Sequence, residues 1–326
     1  MLDHDRLSRE LMRALRGERS QTAFSRELGF ESNVVYPWEA GLRHPEASTF
    51  LKAALRSGVD VGAALGAFTA DASSWRRPRA ATGEAAVQRL VAQLAGRRSS
   101  GALAARIGRN RNTVSRWRNG MSEPRLPDLL AFVEASTLRL LDFIALFADP
   151  AALETTATAY LQLQNQRRVA YELPWSHAVL RALELADYGR SEHHDDRFIA
   201  SRLGIDEEEV RRSLDALEAA AVIEHRGSHY SIREVLAVDT RSDPARNLAL
   251  KRHWATVSTE RLCDGPPPEG ALYSYNLFGI SESALGRLRE LHLRYFEEVR
   301  AIIDASETTE HVALMNLQLL TLDGAG

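Results

Sequence analysis

The chain has 326 residues, 44% of them hydrophobic, a formal charge of −3 and a single cysteine, Cys263. That length holds two or three domains with real cores. One cysteine excludes an intramolecular disulfide and argues against a cysteine-based zinc site, and the near-neutral balance excludes a polybasic nucleic-acid sponge. The segment Met1–Arg16 is charged and amphipathic and has no apolar signal-peptide core. The longest apolar run, around Leu140–Ala148, is interrupted by Asp142 and too short to span a bilayer. The expectation is a cytoplasmic protein with no membrane partner.

Leu7, Leu11 and Leu15, with Met12 and Ala14, set a first helical stripe that Gly17 stops. Ser20 caps a second helix, Gln21–Leu28, and Gly29 is placed for a tight turn. A third helix starts at Ser32 or its neighbour, with Val35 and Trp38 facing inward and Gly41 ending it. Leu42–Pro45 is an exposed loop carrying Arg43, and Thr49–Leu55 is a further packing helix. Short helices in this order, with a turn glycine between the second and third, are the helix-turn-helix layout.

The same unit recurs 79 positions on. Leu11 meets Leu90, Leu15 meets Leu94, and Gly17 meets Gly96. Arg19-Ser20 meets Arg98-Ser99, and Leu28-Gly29 meets Ile107-Gly108. Val35 meets Val114, Trp38 meets Trp117, Gly41 meets Gly120 and Pro45 meets Pro124, with no gap. Core, turn and cap positions align together, which marks an internal duplication.

The third helix of the second unit, within Arg109–Gly120, carries the chemistry. Asn110 caps it, and Val114 and Trp117 fall on one face. Arg109, Arg111, Asn112, Ser115, Arg116 and Asn119 fall on the other. Arginine forks onto guanine, asparagine onto adenine, and serine contacts either base or phosphate. The bland alternative is a solvated surface helix.

Both units resemble the Xre/Cro/λ-repressor type of helix-turn-helix, through Gln21-Thr-Ala-Phe-Ser-Arg-Glu-Leu-Gly29 with Asn33–Gly41, and Arg106-Ile-Gly108 with Asn112–Gly120. The resemblance implies that the glutamine opening the second helix supports a phosphate contact. Gln21 fills that place in the first unit. Ser100, close to Arg98, stands there in the second and implies a weaker or different contact.

Charge separates the two units. Residues 1–60 carry 9 Lys/Arg against 9 Asp/Glu, whereas residues 74–130 carry 12 Arg against 3 Asp/Glu, net +9. Non-specific DNA affinity is mostly electrostatic, so the second unit is expected to hold DNA more firmly. Pro37 stands inside the first unit's third helix where Arg116 stands in the second. It removes a backbone donor and crowds the carbonyl of Asn33. Ser32, Asn33 and Tyr36 remain as contacts from that helix, unless the first unit only positions the second. The linker between the units contains Ser73-Ser74, Pro78 and the run Arg76-Arg77-Arg79. It is an arm on the DNA backbone or a solvated connector.

Leu126–Ala148 reads as one or two apolar helices on the second unit, and Ala151–Gln166 as a helical connector. Trp175–Tyr188 is amphipathic, Phe198–Gly204 is a helix and turn, and Asp206 caps a helix through Val210, Leu214 and Leu217. Val222–Ile232 alternates around Gly227-Ser228 as a hairpin wing. Helix, helix-turn-helix and hairpin make a winged-helix module. Residues 171–240 carry 8 Arg against 15 Asp/Glu, and the would-be recognition helix opens Asp206-Glu-Glu-Glu209. Repulsion from phosphate argues for a protein-contact or structural role, and carboxylates suit a helix N-terminus in any case. Glu192-His-His-Asp-Asp196 reads as a polar loop rather than a metal site. In the tail, Leu272–Ile280 and Val312–Leu320 read as strands around a long helix, about Glu282–Ile303. Its buried stripe is expected to hold Leu285, Leu288, Leu291, Tyr295, Phe296, Val299 and Ile302. Pro266–Pro268 forms the loop before it.

The half from about Tyr171 to Leu322 resembles the family known as domain of unknown function 4423, through Phe198-Ile-Ala-Ser-Arg-Leu-Gly-Ile205, Val238-Asp-Thr240 and Tyr275-Asn-Leu-Phe. That resemblance implies association with bacterial transcription regulation, at the nucleoid, and no known chemistry.

The expected fold is therefore mainly α: two tandem five-helix-type helix-turn-helix domains, a winged-helix module and a small α+β tail. Their bounds are 1–70, a linker over 71–83, 84–150, a helical connector over 151–170, 171–240, and 241–326 for dimerisation or an effector. The expected function is a sequence-specific regulator, a repressor, reading the major groove of a double-stranded DNA operator mainly with the second unit. It forms a homodimer through the C-terminal half and responds to an unknown protein or small-molecule effector. The alternative is a protein-interaction scaffold with a partly degenerate DNA-binding region. No phosphate loop, nucleophile elbow or convincing carboxylate pair suggests an enzyme, and no cofactor or metal is expected.

Overall fold

The computed structural model describes residues 2–69, 71–75, 82–96, 98–233, 243–263 and 270–322. The Arg76-Arg77-Arg79 run, Val238-Asp-Thr240 and Pro266–Pro268 lie outside them. The chain divides into two compact units, Met1–Gln164 and Asn165–Gly326. Both are mainly helical, and the described strands form one two-stranded sheet. Among the described residues no helix is long and apolar enough to cross a membrane.

The first unit begins with α1 (His4–Arg16), α2 (Gln21–Glu27), α3 (Val35–Glu39), α4 (Ala47–Arg56), α5 (Val61–Thr69) and α6 (Ala72–Trp75). It continues with α7 (Glu84–Ala95), α8 (Ser100–Arg106), α9 (Arg111–Arg118), α10 (Leu126–Thr137) and α11 (Leu140–Ala145). A 3-10 turn, Pro150–Ala152, precedes α12 (Ala157–Glu172), whose residues from Asn165 on belong to the second unit. The 79-residue repeat is visible atom by atom. Ser20 Oγ accepts from Ala23 N–H at 3.2 Å, and Ser99 Oγ from Ala102 N–H at 3.1 Å. Each satisfies one of the donors that a helix start leaves unpaired. Gly41 and Gly120 have φ of +75° and +69°, and a Cβ there would meet Arg9 at 3.0 Å and Gln88 at 2.8 Å. Arg9 and Gln88 are themselves 79 apart, so the same side-chain position packs over the same turn.

The two repeats share one continuous core. Leu11, Leu15, Phe24, Val35 and Trp38 meet Leu90, Leu94, Leu103, Val114 and Trp117 within it. Phe50 packs edge-on against Phe147 at 4.8 Å, and Phe68 against Phe143 at 5.3 Å. The linker's start is part of this fold, because Trp75 is buried and its indole N–H donates to Thr69 and Gln93.

How the repeats meet is set at the loops before α4 and α10. Ala47 N–H donates to Pro124 O at 3.0 Å, and Leu126 N–H donates to Pro45 O at 2.9 Å. Pro45 and Pro124 are equivalent, as are Ala47 and Leu126, and between them Glu46 and Arg125 form an antiparallel bridge. The helices repeat the reciprocity: α1 packs on α10, and α7 packs on α4. Contacts that exchange equivalent residues define an isologous interface, so a local two-fold axis passes by Glu46 and Arg125. Glu123 closes one side only, accepting from the Ser48 N–H and Oγ–H at 2.8 Å each. Burial, and then the neighbouring Glu46 carboxylate, raise the Glu123 pKa, against the lowering effect of the Ser48 hydrogen bonds.

The second unit holds α13 (Trp175–Ala182), α14 (Ala186–Arg190), α15 (Asp196–Leu203), α16 (Glu207–Ala219), β1 (Ile223–Arg226), β2 (His229–Ile232), α17 (Pro244–Cys263) and α18 (Glu282–Asp304). Strands β1 and β2 are antiparallel, pairing Ile223 with Ile232 and Arg226 with His229. Val179, Ile199, Val210, Leu214, Leu217 and Val222 form its core. Asp206 caps α16 by accepting from Glu209 N–H at 2.6 Å. Gly204 ends α15 at φ +60°, where a Cβ would lie 2.5 Å from Arg261 Nη1. That guanidinium donates to Leu203 O and Gly204 O, holding α17 against the turn. The polar loop before α15 is bonded through His194, whose Nε2 lies 2.9 Å from Asp196 Oδ1 and whose Nδ1 lies 3.2 Å from the Tyr188 hydroxyl.

The tail corrects the expectation of an α+β element. Helix α18 is present and Ser281 Oγ caps it by accepting from Ala284 N–H. Residues 272–280 and 312–320 are not strands. They make no backbone–backbone hydrogen bonds among the described residues. A strand exists only through a partner that pairs its N–H and C=O groups, and the described residues offer these segments none. The expected stripe of α18 is largely uncovered as well. Leu285 is buried, whereas Leu291, Tyr295, Phe296 and Ile302 are exposed.

Candidate nucleic-acid interface

The face in question is built by α8, a tight turn and α9. Helix α8 ends at Ile107, and Gly108 takes φ +63° to reverse the chain at low cost. Asn110 then caps α9, its Oδ1 accepting from Asn112 N–H at 2.8 Å. Val114 and Trp117 are buried, and Trp117 packs edge-on against Phe132. With those two fixed inward, Arg111, Asn112, Arg116 and Asn119 are exposed and Ser115 is half-buried. Arg111 and Arg116 have no ion pair or side-chain hydrogen bond among the described residues.

Two expected contacts are engaged elsewhere. Arg109 pairs through Nε with Asp128 at 2.6 Å, which ties it to the start of α10. Ser100 Oγ accepts from Arg118 Nη1 at 3.2 Å. Arg118, which the sequence reading left out, is the organising cation of this region. It also donates to the carbonyls of Arg98 and Gly96, pinning α9 to the α7–α8 turn, while the Arg98 side chain is exposed. Its counterpart by the repeat is Glu39, and that alignment was the available signal.

The first repeat builds the same frame with opposite polarity. Glu39 is buried and accepts from Arg16 Nε at 2.6 Å and from Gln21 Nε2 at 2.7 Å. Gln21 is thereby committed to a carboxylate. Helix α3 starts at Val35, one turn later than α9 does by the repeat, and Ser32 and Asn33 precede it instead of lying within it. Pro37 is the reason: it has no N–H to donate to Asn33 O, and its ring crowds that carbonyl. As the third residue of α3 it falls where the N–H has no intrahelical acceptor, so the short helix is not kinked. Val34 stands at its N-cap with no side-chain cap, and Asn33 Oδ1, one residue earlier, accepts from Tyr36 N–H at 3.2 Å. Tyr36 is 56% exposed. Arg43 is exposed in the following loop, its N–H donating to Pro37 O.

The second unit presents arginines of a different kind. Arg211 Nε pairs with Asp196 at 2.8 Å and its Nη2 with Glu207 at 3.2 Å. Arg197 also pairs with Glu207, Arg202 with Asp187 and Arg212 with Glu209. Around α15 and α16 the positive charge is therefore neutralised within the fold.

Neither a curated protein nor a solved structure matches this chain. The family described as Domain of unknown function (DUF4423) matches residues 156–322, which includes the α15–α16 pair, the hairpin and α18. The match covers just over half of the 326 residues, and the chain belongs to that family.

Proposed function

We propose that the protein is a sequence-specific double-stranded DNA-binding transcription regulator, a repressor, whose second repeat is the principal reader. In this reading α2–α3 and α8–α9 are Xre-type helix-turn-helix pairs, and α13–α16 with β1–β2 are a winged-helix module that serves contacts other than DNA. One observation carries it: α9 turns Val114 and Trp117 inward and holds Arg111, Asn112 and Arg116 outward, in a segment of net charge +9. Guanidinium and amide groups on one exposed helix face match the donor and acceptor pattern of major-groove base edges. Gel-shift titration on duplexes selected from a random library tests this. Arg111→Ala and Arg116→Ala are expected to weaken binding clearly and Arg211→Ala to leave it unchanged; equal losses would overturn the assignment.

The reading includes a homodimer through the tail. Residues 271–280 and 310–322 belong to no helix or strand, are rich in apolar side chains, and have no backbone partners among the described residues. Leu272, Tyr275, Leu277 and Leu317 are exposed. A second copy supplies the same unpaired segments, so one isologous contact satisfies both copies at once. Light scattering is expected to give a dimer for the wild type and a monomer for Leu277→Arg with Leu317→Arg.

The scaffold reading draws on the first repeat, where Gln21 is engaged by Glu39 and Pro37 replaces a cation. A steep loss of DNA affinity with added salt, matching several phosphate contacts, separates the two.

A further inference from the structure

The repeats are joined by reciprocal contacts, and this has a consequence for DNA that a tandem sequence does not disclose. Two units in succession can face a duplex in the same sense, as beads on a string, or in opposite senses. The exchange of Ala47 N–H to Pro124 O with Leu126 N–H to Pro45 O, around the Glu46–Arg125 bridge, fixes the opposite sense. The packing of α1 on α10 and of α7 on α4 carries the same two-fold relation into the helices. Since α3 and α9 occupy equivalent places in the two repeats, the rotation that exchanges Pro45 with Pro124 also exchanges them. A duplex has local two-fold axes perpendicular to its length, and only an inverted pair of half-sites shares that symmetry.

The faces so related are not alike. Where α9 and its cap present Arg111, Asn112, Ser115 and Arg116, the first repeat presents Ser32, Asn33, Tyr36 and Pro37. Asn33 Oδ1 is already used by the Tyr36 N–H. One face offers forked cations and amides, and the other a hydroxyl and an exposed phenol.

We infer that a single copy of this chain engages two half-sites in inverted orientation whose sequences differ, reading one with α9 and the other with α3. This rests on the DNA-binding reading above. It assigns each half-site to its own repeat within one chain, whereas a pair formed between copies would place the same repeat on both halves.

The test uses the full-length protein and duplexes selected by it from a random library. Four probes are compared: the selected site, the same site with one half reversed to a direct repeat, and each half-site duplicated as a perfect palindrome. The selected site is expected to be inverted and asymmetric, and reversing one half is expected to weaken binding at least tenfold. Chemical footprints are expected to change on one half only with Arg116→Ala and on the other half only with Tyr36→Ala. Equal binding to the direct repeat, or an Arg116→Ala footprint change on both halves, overturns the inference while leaving DNA binding intact. A protein that selects no sequence, and whose residual binding ignores Arg111 and Arg116, overturns the function reading and this inference with it.

Discussion

The two repeats of the first unit carry one scaffold and two surfaces. Their caps, turn glycines and buried tryptophans superpose by a shift of 79, and their third helices pack against one core. They diverge at the residue that pins the third helix and on the face that it turns outward. Position 39 in the first repeat is a buried carboxylate held by Arg16 and Gln21. Position 118 in the second is a guanidinium held by carbonyls and Ser100. Both solutions pin the third helix to the preceding turn. Only the second leaves the adjoining outer face positively charged, with Arg111 and Arg116 exposed. A duplicated unit can therefore keep its fold while one copy gives up charge, because the core and the outer face are separate sets of residues.

The largest expected effect comes from breaking the pin. Glu39→Ala leaves the Arg16 guanidinium partly buried without its carboxylate and should cost about 3 kcal/mol in denaturant unfolding. Arg118→Ala in the second repeat removes hydrogen bonds but strands no opposite charge, so its cost should be about 1 kcal/mol. Equal costs would show that the two pins are energetically the same. Next come the outer faces. Loss of Arg111 or Arg116 should lower duplex affinity by roughly tenfold each, in line with about 1–3 kcal/mol for a forked base contact, and Tyr36→Ala by much less. A Tyr36→Ala loss as large as that of Arg116→Ala would erase the distinction between the repeats.

The asymmetry between the repeats can also be reversed. Pro37→Arg restores the donor and places a cation where Arg116 stands in the second repeat. Affinity for the duplex should rise by roughly threefold to tenfold, with a steeper salt dependence. The smallest effect concerns the two-fold contact. Glu123 has a raised pKa when folded, so folding favours its neutral form. Its contribution to stability is fully present below the ordinary carboxylate pKa of about 4.3. That contribution is lost as pH rises through the higher folded value. The wild type should gain stability relative to Glu123→Gln on acidification toward pH 4, followed by thermal melts at matched ionic strength; parallel pH profiles would contradict this.

Much of the candidate face was legible in the sequence because helix periodicity and capping are local. Asn110 before an Arg-rich run, with Val114 and Trp117 three apart, is enough to set the inward and outward sides of α9. Pro37 was legible as an anomaly, and its effect proved to be a later helix start. What the pattern could not carry was partner choice among like residues. Arg109, Arg111 and Arg116 read as one outward set, yet Asp128 takes Arg109, and Arg118, outside that set, is held by backbone carbonyls. The tail failed for a related reason. Alternation in 272–280 and 312–320 describes what a strand would look like, but strand pairing is a property of two segments, and the chain supplies no partner among the described residues.

Spacing along the chain alone established the helical class, the 79-residue duplication and the inward positions Leu7, Leu11, Leu15, Val35, Trp38, Val114, Trp117, Val210, Leu214 and Leu217, whereas α5 and α6 were not read from it and Ala14 proved exposed. Tertiary structure decided which arginines stay exposed and that the two repeats form one core. It also decided that they meet about a two-fold axis. That relation rests on hydrogen bonds between Pro45, Ala47, Pro124 and Leu126. A repeat in sequence states that two units are alike; only contacts between residues far apart in the chain state which way each one faces.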